Sequence, residues 1–176
     1  MRSTAIVRTG FIVCLLHLFI VNTCYAQNSD PKTLLSPPVA DRRIELLSIV
    51  FRLAGADEYN NEAFKSYTNA IHRHFDPYKD HPLIKKAMQL RNKKGIGFDA
   101  VMAMAIHLSQ PPELEPLVPF SDKIPEPRWG KKTAMEFIIL LRQFYTDADV
   151  PSFFGSTAQF SSLAAEAAKN TFSQLD

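Results

Sequence analysis

Apolar residues recur at every third or fourth position over most of the chain, the spacing of one face of an α-helix. The first such stretch is DRRIELLSIVFRLAG, which opens with Asp41, a residue type that caps helices, and closes with Gly55, a residue type that ends them. It carries two apolar stripes, and a helix of that kind is normally buried between neighbours. Strand-like alternation extends over no useful length, so the pattern predicts an all-α fold.

The same spacing predicts a compact array of about six helices. Pro82 suits a first helical position, and basic residues followed by Gly95 end the helix that it opens. The next stretch, FDAVMAMAIHL, is apolar nearly all round and predicts a central core helix that completes a helical hairpin. WGKKTAMEFIILLRQFYTDA predicts another helix. We expect a single last helix from VPSFFGSTAQFSSLAAEAAKNTFSQLD, with Pro151 near its start.

A connection rich in proline, Ser109–Arg128, holds half of the chain's 12 prolines. A connection of this length is usually either functional or wrapped over a core. Trp129 stands at its end, and Tyr59 lies in the turn ADEYNN. Aromatic residues at loop ends can form the floor of a groove, although the same rings can simply seal the edge of the core. Together with His107, most simply a helix-end histidine, they are the candidate residues for lining a cleft.

The N-terminus has the three-part pattern of a secretory signal peptide. Arg2 and Arg8 precede an apolar run, residues 11–21, that is too short to span a bilayer comfortably. Small residues before the junction predict cleavage between Ala26 and Gln27. The protein is therefore expected to be exported and to be periplasmic or secreted.

Two further boundaries follow from the same region. The alternative to cleavage at Ala26 is lipid anchoring at Cys24, but the preceding residues fit a lipoprotein signal poorly. Residues 27–40 contain three prolines and predict an extended leader. Residues 41–176 then form the helical domain.

Cleavage changes the chemistry that the chain offers. Cys14 and Cys24 leave with the signal peptide, so the mature chain has no disulfide and no thiolate metal site. Removal of Arg2 and Arg8 lowers Lys plus Arg from 20 to 18, which equals the 18 acidic residues. A net charge of zero does not favour nucleic acid or an anionic membrane as a partner.

No catalytic or metal-binding residue can be named from the motifs. His72 and His74 are two positions apart, and on a helix such residues point to nearly opposite sides. The chain has no H-E-x-x-H zinc motif and no G-x-S-x-G nucleophile motif. Its close glycine pair, Gly95 and Gly97, lacks the spacing of a phosphate-binding loop. Close carboxylate pairs lie in predicted loops, where solvated acids are expected.

Three strings carry a resemblance to a known family: ELLSIVFRLAGADEYN, YKDHPLIKKAMQLRNKKGIGFDAVMAMAIHL, and RW followed by a FYTDA helix. They resemble the N-terminal part of an exported family of Gram-negative bacteria, domain of unknown function 4932. The resemblance covers Asp41 to about Asp149. It implies a longer protein whose later half carries a histidine-glutamate motif like that of zinc peptidases.

Two functional hypotheses follow. In the first, this chain is the helical N-terminal portion of a zinc-metallopeptidase-like protein, not catalytic by itself. Zinc and a C-terminal region of the same protein, as partner, are then expected only in a longer chain. The sequence ends at Asp176, before any such motif, so no ligand position can be carried over from the family. In the second, the chain is a complete periplasmic helical binding or scaffold module without enzymatic activity.

Overall fold

The computed structural model of the chain describes residues 39–60 and 64–172. The predicted signal peptide, its cleavage site between Ala26 and Gln27, and nearly all of the predicted leader lie outside these residues. The described part contains seven α-helices, two short 3-10 turns and one isolated antiparallel bridge between Leu108 and Pro116. The all-α prediction is therefore confirmed.

Local signals placed several helix ends correctly. The Asp41 side chain accepts a hydrogen bond from the backbone N–H of Arg43, as an N-cap should. Pro82 is the first residue of its helix, and Gly95 ends that helix in the left-handed conformation, with φ of 63°. In chain order the helices are α1 (Arg42–Leu53), α2 (Lys65–Phe75), α3 (Pro82–Lys94), α4 (Phe98–Ile106), α5 (Lys131–Asp147), α6 (Val150–Ser156) and α7 (Ala158–Phe172).

The prediction of one last helix is wrong, because the structure divides that segment at Thr157. The buried Thr157 hydroxyl donates a hydrogen bond of 2.7 Å to the carbonyl oxygen of Phe153. A Thr side chain bonded to the carbonyl four residues earlier often bends a helix. Phe153 and Phe154 keep α6 packed in the core, whereas no described side chain of α7 is buried.

The core is built around α1, whose buried residues cover most of its circumference, as its two apolar stripes predicted. It packs against α3 and α4. The ring of Phe51 lies 6.5 Å from that of Trp129 and 6.1 Å from that of Phe137. The second arm of the predicted hairpin, α4, buries one face on the core but leaves Phe98 and Ile106 exposed at its two ends.

The proline-rich connection wraps over the core. Leu114 and Phe120 point inward and are buried. Long side chains fasten the connection at both ends: Arg43 donates 2.6 Å to the carbonyl of Leu108, and Arg128 donates 2.9 Å to the carbonyl of Gly95. We expected this connection either to be functional or to wrap over the core, and its described contacts support the second role. None of the described helices is long and apolar enough to cross a membrane.

Candidate functional site

Two cavities adjoin α1 and share Glu45 and Tyr67 in their walls. The first, which we call the polar cavity, occupies the seam between α1, α2 and the 3-10 turn Asp57–Tyr59 and has a volume of about 230 Å³. Its walls contain a carboxylate, a guanidinium, a serine hydroxyl and two tyrosines beside two isoleucines. The lining residues are Glu45, Ser48, Ile49, Arg52, Tyr59, Tyr67 and Ile71.

The second cavity, the apolar groove, has a volume of about 350 Å³ and lies between the first turns of α1 and α2 and residues 160–167 of α7. Nearly all of its surface is apolar. The lining residues are Ala40, Asp41, Ile44, Glu45, Phe64, Tyr67, Phe160, Ser161, Leu163, Ala164 and Ala167. Phe64 and Leu163 remain largely in water, so the groove presents open apolar surface.

A hydrogen-bonded network forms the wall that the two cavities share. Tyr67 donates a hydrogen bond of 2.6 Å to Oε1 of Glu45, and both residues line both cavities. Arg42 donates 2.6 Å to Oε2 of the same carboxylate and 3.2 Å to the hydroxyl of Ser161. Its guanidinium also lies 4.6 Å from the ring centre of Phe154. The network thereby connects α1 with α2, α6 and α7.

Both tyrosines of the polar cavity stay protonated at neutral pH. Burial, followed by the charge of Glu45 and the hydrogen bond to it, raises the pKa of Tyr67 far above its ordinary value. Burial, followed by the charges of Glu58 and Asp99, raises the pKa of Tyr59 to about 12. Both hydroxyls therefore keep their proton, which Tyr67 donates to Glu45, and neither hydroxyl is an activated nucleophile.

The Tyr59 hydroxyl is sealed from solvent and has no hydrogen-bond partner in the part of the chain that the structure describes. An unpaired buried hydroxyl costs free energy, so this position is a weak point of the α1 seam. The centre of the Tyr59 ring lies 6.3 Å from that of Phe51 and 6.1 Å from that of Phe98.

The three candidate cleft residues do not line one common cavity, although the rings of Tyr59 and Trp129 both pack against Phe51. Tyr59 lines the polar cavity, but Trp129 and His107 line neither cavity. Trp129 is fully buried, and its indole N–H donates 2.9 Å to the carbonyl of Ala100. The His107 ring bonds through Nδ1 to the carbonyl of Ala103 at 2.7 Å, which caps the end of α4.

The groove residues were not recognised from the sequence. Phe160 and Leu163 have helical spacing, which predicts an apolar face but not whether anything covers it. Tyr67 has helical spacing with Phe64 and Ile71, which places it on an apolar face, but its bond to Glu45, 22 positions away, leaves no local pattern. The groove is thus defined by contacts between residues that are distant in sequence, which a local pattern cannot predict.

We searched residues 39–60 and 64–172 for side chains that could bind a metal ion together. No group of three or more His, Cys, Asp or Glu side chains in these residues is arranged to hold an ion. His72 pairs with Asp76 at 3.0 Å, whereas His74 bonds to the carbonyl of Ala148 at 2.8 Å. The two imidazoles thus have separate partners.

Comparison with known proteins adds no relative. No family model, no curated protein and no solved structure matches this chain significantly. The resemblance to domain of unknown function 4932 therefore stays a prediction.

Proposed function

We propose that this chain is an exported helical binding module whose apolar groove receives the apolar face of a helix from a polypeptide partner. The observation that carries the proposal is the groove itself: about 350 Å³ of mostly apolar space, open to water, with Phe64 and Leu163 exposed on its two sides. Ligand and peptide sites are typically concave and mostly apolar, with volumes of roughly 300–1,000 Å³, and this groove falls at the lower end of that range.

The shape of the groove favours a helix as the occupant. Its walls are helices, and α7 contributes Phe160, Leu163, Ala164 and Ala167 over about two turns. A partner helix can insert side chains from positions i, i+3 or i+4, and i+7 into such a groove. Export and a near-neutral mature charge make another exported polypeptide, or a further segment of the same protein, the natural partner.

Site-specific photocrosslinking in the native host tests the proposal. A photoreactive residue is placed at Leu163 in the groove or, as a matched control, at Ile139 on α5, which is equally exposed at 61% and lies outside the groove. We expect a defined polypeptide to be captured from position 163 and not from position 139. The captured segment should map to one face of a helix by mass spectrometry.

The captured polypeptide is then purified and its affinity measured. Leu163→Glu should weaken binding by at least about tenfold, because it places a charge in the groove, and Ile139→Glu should leave it unchanged. Equal capture from both positions, or equal affinity of the two variants, would contradict the proposal.

A second candidate rests on the resemblance. We propose under it that the occupant of the groove is a later segment of the same protein, and that a zinc-metallopeptidase-like region lies there. The described residues do not supply a ligand set for such an ion, so no catalytic step is assigned to them. Two measurements on the protein expressed from its native gene test this reading: intact mass and zinc content. A longer chain with stoichiometric zinc supports it, and a freshly purified full-length protein without zinc contradicts it.

A further inference from the structure

We propose that α7 is a movable wall of the apolar groove, hinged at Thr157 and held to the body of the domain through Arg42. Opening and closing of this wall would control access to the groove. The idea deepens the proposed function, because it assigns a means of control to the same site, but its evidence and its test are separate.

The backbone shows the helix break at which we place the hinge. α6 ends at Ser156, and Thr157 has non-helical dihedral angles, φ of −107° and ψ of 7°, before α7 begins at Ala158. Phe153 and Phe154 anchor α6 in the core on one side of this residue. On the other side no such anchor follows: every described side chain from Ala158 to Thr171 is exposed or half-buried. A rigid element and a weakly packed one therefore meet at a single non-helical residue.

The attachment of α7 to α1 and α2 involves its first turn. Ser161 accepts a hydrogen bond from Arg42, and the ring of Phe160 lies 5.6 Å from that of Tyr67. Arg42 is itself held on the body by Glu45 and by the ring of Phe154. These contacts restrain the hinge end of α7 and leave Leu163, further along, 61% exposed beside the groove.

Movement of α7 should cost little free energy. Regions with few buried apolar contacts open at a small fraction of the global unfolding free energy. The groove also supplies the space into which the wall can close, because its facing side, formed by Ile44 and Tyr67, is apolar as well. Closure would bury Leu163 and Ala167 against that side, with or without a ligand between the two walls.

Distance measurements between paired spin labels test the hinge. Cys14 and Cys24 precede the described residues and are absent from the predicted processed chain, so introduced cysteines label selectively. One pair joins α7 to the body, Lys169→Cys with Gln89→Cys. The control pair lies within the body, Lys132→Cys with Gln89→Cys. All three positions are exposed. We expect a broad or two-peaked distance distribution for the first pair and a single narrow peak for the control pair.

A matched pair of serine substitutions isolates the contact with Arg42. Ser161→Ala removes the hydrogen bond from Arg42, whereas Ser162→Ala alters a neighbouring exposed serine whose hydroxyl bonds within α7, to the carbonyl of Ala158. Loss of one hydrogen bond should shift the population of Ser161→Ala roughly two- to tenfold away from the observed position of α7, in which Arg42 is bonded, and leave Ser162→Ala like the wild type. Neither change removes buried apolar surface, so both variants should fold.

The inference is overturned if the α7 pair gives a peak as narrow as the control pair, or if Ser161→Ala and Ser162→Ala behave alike. Its failure is distinguishable from that of the proposed function. Spin labels report movement of α7 in the isolated protein, whereas crosslinking from Leu163 reports occupancy of the groove. A rigid α7 with specific capture from position 163 would contradict the hinge and support a preformed binding groove. A mobile α7 without capture would support the hinge and contradict the proposed function.

Discussion

α1 and α7 have similar apolar content, but α1 is largely buried and α7 is not. More than half of the residues in each helix are apolar. Six residues of α1 are buried, including Leu46, Leu47 and Phe51, yet none of the described side chains of α7 is buried. An apolar face therefore predicts that a helix has something to bury, but the neighbouring elements decide whether it does.

The difference comes from the place of each helix in the chain path. α1 is followed by elements that pack on it from several sides, chiefly α3 and α4. α7 follows Thr157, after α6 has packed against α5, and it has no helix packed over its apolar face in the part of the chain that the structure describes. Stability should accordingly depend on α1 and scarcely on α7, which makes the comparison testable with matched substitutions.

The largest expected contrast is between two phenylalanines. Phe51→Ala should lower the free energy of unfolding by about 4 kcal/mol, because it empties a fully buried site between Tyr59, Trp129 and Phe137. Phe160→Ala, on a half-buried ring of α7, should cost about 1 kcal/mol or less. Urea unfolding of both variants measures the contrast. Similar losses in the two variants would show that α7 belongs to the core.

A leucine pair sharpens the same comparison. Leu47→Ala removes a fully buried side chain and should cost about 3 kcal/mol. Leu163→Ala removes an exposed one and should change stability by no more than about 0.5 kcal/mol. The check is the shift in the urea midpoint at constant slope. A large loss for Leu163→Ala would mean that the groove is closed in solution.

The cap of α1 gives a smaller, pH-dependent effect. Arg43, through its side-chain hydrogen bond, holds the pKa of Asp41 below its ordinary value of 3.8, despite the opposing effect of burial. A carboxyl with a lowered folded pKa stabilises the protein above its unfolded pKa and loses that contribution as the pH falls through the folded pKa. Asp41→Ala should therefore cost about 1 kcal/mol at neutral pH and less below about pH 4.

Asp41→Asn is the control for that prediction, because asparagine caps helices nearly as well but carries no titrating group. Its stability relative to Asp41→Ala should stay constant between neutral and acidic pH, whereas that of the wild type should decline. Unfolding curves recorded over this range decide the matter. A pH-independent difference between wild type and Asp41→Ala would refute the role of the charge.

The smallest global effect is expected from glycine in α7. Ala164→Gly lowers helix propensity by about 1 kcal/mol, which should speed amide exchange within α7 and leave global unfolding almost unchanged. Ala134→Gly, at a fully buried position of α5, should instead lower the free energy of global unfolding by at least that amount. Hydrogen exchange read residue by residue separates the two. An equal loss in the free energy of global unfolding for the two variants would show that α7 unfolds together with the rest of the domain.

Individual residues show how far the sequence could be read. The helix signals at Asp41, Pro82 and Gly95 act within a few positions of themselves, so their predictions agree with the structure. The break at Thr157 was missed, because a lone threonine is tolerated in many helices and bends this one where Phe153 and Phe154 are anchored. The candidate site was missed for a similar reason.

The sequence by itself determined the all-α class, most helix boundaries and the apolar face of each helix, because hydrogen bonds and side-chain spacing within a helix are local. Tertiary structure alone decided that Trp129 belongs to the core, that Glu45 meets Tyr67, and that the face bearing Leu163 is left uncovered. These outcomes depend on which elements meet after the chain has turned, and contacts between distant segments leave no periodic trace in one sequence.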